Sequence, residues 1–246
     1  MSKLEFPSTV AYRQRYVTGG DVIDKEFPLT AVGNLWRYSN NFVVDAASCD
    51  LTDVTSFLYA FQNAGAYVIT DFSDSVKPTN MQYACINATK LIEGPHINTS
   101  STTTFENAFN GCSELITIPQ YDTSKATSFA TMLSSCSKLY SIPALDCSSL
   151  TTISNLVGYG AITGLCHLGG FINLGAQKSL SGTTSGFLDY MPNLTKDSLL
   201  NVINGLYDRA SAGYSVIKIK MMSYHLSVLT DEEKAIATNK GWTLTT

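Results

Sequence analysis

The chain has 246 residues, 44% of them apolar and 15% charged, with a formal net charge of −4. That apolar fraction is enough for a sizeable core, so the polar surface has to come largely from Ser, Thr and Asn. An acidic chain without a basic stripe excludes a nucleic-acid footprint and a polybasic lipid-binding patch.

The first residues, MSKLEFPSTVAYRQRY, lack the apolar run of about 7–15 residues that a secretory signal carries, and no segment reaches membrane-spanning length. The expectation is a chain made in a cytoplasm that leaves by lysis or as part of a particle, without membrane insertion. A chain whose signal had been removed would read the same way. Val10 to Val17 and Val22 to Phe27 alternate, predicting two strands around the turn Thr18-Gly19-Gly20-Asp21. Residues 1–45 fall outside any clear repeat and are read as an N-terminal cap or a docking segment.

From there a period of 24 residues emerges and is sharpest between Phe105 and Ser148, where FENAFNGCSELITIPQYDTS is followed by FATMLSSCSKLYSIPALDCS. Stepping by that period, an Asx position reads Asp50, Asp74, Asn98, Asp122, Asp146. Inward phases read Phe57, Met81, Phe105, Phe129, Ile153, then Phe61, Cys85, Phe109, Leu133, Val157, and a strand phase reads Val43, Tyr67, Leu91, Leu115, Leu139. A fixed period in this range is the signature of a solenoid. Phe129, Met132, Leu133 and Cys136 stand at i, i+3, i+4 and i+7, which predicts one face of a short helix capped by Thr127 or Ser128. Leu139 to Ile142 is then a short strand stopped by Pro143. The fold class expected is α/β: about five helix–turn–short-strand coils over residues 46–180, a non-repeat N-terminal segment, and an α/β C-terminal capping region over residues 181–246.

In that last region Thr195 caps a helix whose apolar face is Leu199, Val202, Ile203 and Leu206, and Tyr214 to Lys220 alternates as a strand. Thr230-Asp231-Glu232-Glu233 opens a second helix with a capping box, which ends near Gly241 before a strand at Trp242-Thr243-Leu244.

The pattern C-S-x-L-x-x-I-P-x-x-D-x-S after a short helix resembles the leucine-rich repeats of BspA-type proteins of bacteria and phages. LTKDSLLNVINGLYD followed by LTDEEKAIATNKGWTLT is similar to the C-terminal cap of repeat proteins from gut bacteria and their tailed phages. The resemblance implies a non-enzymatic structural protein of a bacteriophage virion, as a head or tail appendage or a capsid decoration. Its partners would be other virion structural proteins, and self-association as a homo-oligomer stays open. The alternative it implies is a bacterial cell-surface adhesin that binds a host-surface protein or a glycan.

Few residues suggest chemistry. Among six cysteines (49, 85, 112, 136, 147, 166) there is no CxxC and no zinc spacing, so no metal site is expected. Cys112 and Cys136 share a phase and would lie about 5 Å apart on paired coils; they are read as buried thiols, with a disulfide as the minor alternative. His96, His167 and His225 are scattered, and His96 beside Pro95 reads as a surface or satisfied histidine. Asp122 and Asp146 share a phase with Asn98, which favours turn bonding over acid–base or calcium chemistry. Asp231-Glu232-Glu233 suits a helix start, and Gly19-Gly20 and Gly169-Gly170 read as turns. Tyr12, Tyr16, Trp36, Tyr38, Tyr140, Tyr159 and Tyr190 are glycan-stacking candidates for which packing is the plainer reading. No catalytic residue, cofactor site or metal ligand is assigned, and no enzyme is expected.

Overall fold

The computed structural model describes residues 11–18, 21–28, 36–38, 43–44, 46, 51, 53–152, 155, 158, 162–184 and 187–246. β1 (Ala11–Thr18) and β2 (Asp21–Pro28) pair antiparallel, with Thr18 opposite Asp21 and Ala11 opposite Pro28. Their register follows the alternation on either side of Gly19-Gly20.

Further along, the backbone pairs in parallel with itself. The offset is 24 residues through the middle, where Asn80 lies opposite Thr104 and Thr104 opposite Ser128. It is 25 between β3 (Val43–Val44) and β4 (Val68–Ile69), and 26 between β5 (Ser141–Ile142) and β7 (His167–Leu168). β6 (Leu145–Asp146) pairs with β8 (Phe171–Ile172) in the same sense.

This is not the leucine-rich-repeat solenoid of helix–turn–strand coils expected from the period. The parallel strands are two residues long and sit in separate two-stranded sheets rather than one continuous sheet. The helices expected after the Asx positions are absent among the described residues. Among the described residues the α-helices are α1 (Lys196–Gly205), α2 (Ser223–Val228) and α3 (Asp231–Asn239), all beyond residue 195.

The physical reason is backbone handedness. Tyr59 and Asn63, Tyr83 and Asn87, Asn107 and Gly111, Thr131 and Ser135 all have positive φ, at 53–61° for the non-glycine residues and 78° at Gly111. A right-handed helix cannot contain such residues at every fourth place. Instead the amides alternate in direction. Ala60 N–H donates back to Phe57 C=O at 3.0 Å, whereas Phe61 N–H donates forward to Ala84 C=O at 2.7 Å. The same alternation recurs as Ala84 to Met81 against Cys85 to Ala108, and as Ala108 to Phe105 against Phe109 to Met132. Stacked turns therefore close the backbone hydrogen bonding on this side as the short strands do on the other.

The residues expected to point inward still do so: Phe129, Met132, Leu133 and Cys136 are all fully buried, as are Phe57, Phe61, Met81, Cys85, Phe105 and Phe109. One expected phase slips. Leu91, Leu115 and Leu139 are buried, but Tyr67 is exposed and Ala66 takes the inward place, because that rung carries one extra residue. Ile153 and Val157 of the inward phases, and Asp50 of the Asx phase, lie outside the described residues.

The turn chemistry is local. Ser100, Ser124 and Ser148 amides donate to the side-chain oxygens of Asn98, Asp122 and Asp146 at 3.1, 3.1 and 2.8 Å. Between rungs, the hydroxyls of Thr79, Thr103, Thr127 and Thr151 donate to the carbonyls of Thr55, Thr79, Thr103 and Thr127 at 3.0–3.1 Å. Each of those threonines also donates its amide to the same carbonyl.

The C-terminal part is α/β. Thr195 accepts from Ser198 N–H at the start of α1, whose Leu199, Val202 and Ile203 are buried against β7 and β8, each adding about 1.5–3 kcal/mol. β9 (Gly182–Thr183), β10 (Ile217–Lys220) and β11 (Trp242–Thr245) form a parallel sheet in the order β11-β10-β9. β10 is shorter than the alternation predicts: Ile217 and Ile219 are buried, but Ser215 is exposed. α3 carries the capping box at Thr230 and stops before Gly241 at φ 80°. The buried apolar residues form one cluster from Trp36 to Trp242.

Candidate functional site: an exposed apolar column

The stacked strands present a row of large apolar side chains to solvent. Ile92 N–H donates to Tyr67 C=O at 3.1 Å, Ile116 to Ile92 at 2.8 Å and Tyr140 to Ile116 at 2.9 Å, so these four residues occupy successive rungs about 4.8 Å apart. They are 37%, 40%, 46% and 49% exposed in the order Tyr67, Ile92, Ile116, Tyr140. Leu91, Leu115 and Leu139, one residue before the last three, point the other way and are fully buried. Alternation at each rung therefore supplies the core with one side chain and the surface with the next.

Charges flank the column and are satisfied within it. Lys138 Nζ lies 2.7 Å from Glu114 Oε2, His96 Nε2 lies 3.2 Å from Glu93 Oε1, and Lys90 Nζ sits 5.6 Å from the Tyr67 ring centroid. At the far end the Tyr140 hydroxyl bonds His167 Nε2 at 3.0 Å, with the two rings edge to face at 5.0 Å. Scattered surface apolar residues would be ordinary, but four on consecutive rungs with paired charges alongside make this column the candidate contact surface.

Among the described glycan-stacking candidates, Tyr140 alone lies on this column. Trp36 is buried and stacks on Phe61 at 4.8 Å, while Tyr38 is exposed beside Arg37. Tyr190 is half-buried in a short 3-10 turn, Leu188–Tyr190. The side chains of Tyr12, Tyr16 and Tyr159 lie outside the described residues. In the sequence Tyr67 falls in the strand phase with Leu91, Leu115 and Leu139, and neither Ile92 nor Ile116 is singled out, although their 24-residue spacing is visible there.

The shifted titratable groups among the described residues bond mostly within their own turns and caps. Asp122 is held below the ordinary carboxyl range by the Ser124 hydroxyl and amide, a bond within its own turn. Glu233 is lowered by the Thr230 amide of the capping box and then by Lys196. Gly169 and Gly170 pair with Ile142 and Leu145 through backbone bonds. His225 is fully buried on α2; its Nε2 donates to Met191 C=O at 3.0 Å and Nδ1 has no partner, so the ring is neutral and burial lowers its pKa.

The thiols of Cys85, Cys112, Cys136 and Cys147 are free and buried, and Cys166 is free and half-buried. Cys112 Sγ–H donates to Cys85 C=O at 3.0 Å and Cys136 to Phe109 C=O at 3.1 Å, so the expected shared phase holds but without a disulfide. Burial pushes Cys136 up to about 12. Among the described residues, no three His, Cys, Asp or Glu side chains gather as metal ligands, and no helix is long and apolar enough to cross a membrane.

The most buried charge is Arg209, which the sequence did not single out. Its Nε donates to Ser215 C=O and Nη2 to Leu180 C=O, both at 2.8 Å, while Nη1 reaches Gly175 and Gln177 carbonyls. The guanidinium faces the Tyr214 ring at 5.3 Å, and burial lowers its pKa. Every contact is to a loop carbonyl or a ring, which makes it a knot for the 175–180 loop rather than a site. No family model, no curated protein and no solved structure matches the chain.

Proposed function

We propose that this chain is a non-enzymatic structural protein of a bacteriophage virion, a head or tail appendage or a capsid decoration, that works by protein–protein contact. The observation that carries the contact reading is the column Tyr67–Ile92–Ile116–Tyr140, a solvent-facing apolar strip on a rigid stack whose charges are already paired. Such a surface gains free energy when another apolar surface covers it and offers nothing that activates a nucleophile or holds a substrate's reacting atom. Placing it in a particle rests on the similarity of its C-terminal segment to the cap of repeat proteins of gut bacteria and their tailed phages. Mass spectrometry of gradient-purified particles, made from the culture that encodes the chain, is the test. A stoichiometric band supports the reading, and particles that lack the chain end it.

The second reading is a bacterial cell-surface adhesin, favoured by one observation: Tyr140 presents a ring and a hydroxyl to solvent next to exposed His167. Glycan-array binding that Tyr140→Ala abolishes would select it.

A further inference from the structure

We propose that the exposed column is the interface of a twofold homodimer, with a second copy of this chain laid antiparallel across it. The proposal rests on the contact reading above and gives it an occupant.

The order of side chains along the column is palindromic: Tyr67, Ile92, Ile116, Tyr140. A twofold axis lying in the surface, between the rungs of Ile92 and Ile116, brings each residue opposite its counterpart. Ile92 meets Ile116 of the second copy, and Tyr67 meets Tyr140 of the second copy. A twofold interface requires this self-complementarity, in which residue i contacts j and j contacts i.

The flanking charges obey the same axis. Two residues before the column, successive rungs carry Lys90, Glu114 and Lys138. Reversing that order on the second copy sets Lys90 against Glu114 of the second copy and Glu114 against Lys90 of the second copy. Lys138 then faces the rung of Tyr67, where the corresponding position is Gly65 and carries no charge. On the other flank Glu93 meets Thr117 of the second copy, since these two are bridge partners on adjacent rungs. No like charges are opposed at any rung. Within one copy Lys90 covers the Tyr67 ring and Glu114 is held by Lys138 at 2.7 Å, so in the dimer Glu114 lies between Lys138 of its own chain and Lys90 of the second copy. A parallel twofold arrangement, with its axis along the column, would set Lys90 against Glu93 of the second copy instead, so the Lys90–Glu114 charge swap below reads the sense of packing.

The experiment is sedimentation velocity and light scattering on the full chain across a concentration series. The wild type is expected to dimerise in the range of roughly 1–100 μM. Ile92→Glu and Ile116→Glu place a carboxylate at the centre of the contact and raise the dissociation constant by roughly 30-fold or more. Both positions are already solvent-facing in one copy, so far-UV circular dichroism stays unchanged, as does the melting temperature at dilutions where the wild type is itself monomeric, separating lost association from lost folding. Lys90→Glu and Glu114→Lys each weaken the dimer, because each sets like charges together. The double variant, Lys90→Glu with Glu114→Lys, restores it.

A wild type that stays monomeric throughout the series overturns the dimer, as does a dimer indifferent to Ile116→Glu or a double variant without rescue. These outcomes are separate from failure of the particle reading. A monomeric chain found in purified particles removes only the dimer, whereas a dimer absent from particles removes only the virion assignment.

Discussion

Ser135 and Gly111 stand at the same place on successive rungs, both with positive φ, but only one of them is a glycine. A left-handed non-glycine residue costs about 1–2 kcal/mol, while a new glycine adds about 0.4–1 kcal/mol of unfolded-state entropy. Ser135 is exposed, so Ser135→Gly should stabilise the chain by about 0.5–1 kcal/mol, read from urea unfolding. Gly111→Ala should destabilise it by at least about 1 kcal/mol, because a Cβ there would also run into the Asn87 side chain. His225 gives a second prediction. Its folded pKa lies below the ordinary 6.5, so between those two values the unfolded chain holds a proton that the folded chain does not. Stability is therefore complete above the unfolded value, falls as pH drops below it, and levels off once the folded value is passed. Thermal melts from about pH 7 to about pH 5 should show a steeper loss for the wild type than for His225→Gln, whose amide can still donate to Met191. Equal slopes would remove His225 as the cause.

Among the elements, α3 is the one most openly written in the sequence. Thr230 Oγ1 accepts from Glu233 N–H at 3.2 Å and Glu233 Oε2 accepts from Thr230 N–H at 2.7 Å. Thr230→Ala should cost about 1 kcal/mol in chemical denaturation, with a drop in helical ellipticity at the C-terminal part. The cap, the acidic first turn and Gly241 are local signals that no tertiary contact has to complete. α1 was legible for the same reason through Thr195. The turns around Phe129 were misread because side-chain burial at i, i+3, i+4 and i+7 cannot distinguish a helix from stacked turns that close every three residues. The distinguishing information is backbone handedness. Asn63, Asn87 and Asn107 hint at it, since asparagine tolerates left-handed φ, but Tyr59, Tyr83 and Thr131 do so against their own preference. Their φ is set by forward bonds to the following rung, which no single-rung reading reveals. α2 was missed because Ser223–Val228 is six residues long and lacks a side-chain cap. The candidate column was half legible: the buried leucines stood out by their period, while the exposed neighbours one residue on were hidden by the changing residue type.

At the scale of the whole molecule, the core runs unbroken from Trp36 to Trp242, and interchange of backbone bonds between rungs continues into the C-terminal part, where Asn173 N–H donates to Gly205 C=O and Tyr207 N–H to Leu174 C=O. Calorimetry should therefore show one transition for this region, and two resolved transitions would mark a break that the packing does not contain. Arg209 is the strongest tie across it. Arg209→Met leaves the buried carbonyls of Gly175 and Leu180 without their side-chain donor, and at about 1–3 kcal/mol for each buried orphan the loss should be at least about 2 kcal/mol. Proteolysis within residues 175–180 would report it. The stacked turns have one more consequence. Trp36, Tyr38, Phe61, Asn63, Cys85, Asn87, Phe109 and Gly111 all aim their N–H groups toward the later rung, and the carbonyls that receive them aim toward the earlier one. Unlike strand pairing, where successive peptide units oppose one another, these dipoles add. On the turn side the peptide dipoles therefore point one way along the stack, while the amides of Thr79, Thr103, Thr127 and Thr151, and of Ile92, Ile116 and Tyr140, donate to the earlier rung and oppose them. More amides point forward than back on each central rung, so the turn side carries the net polarity of the stack.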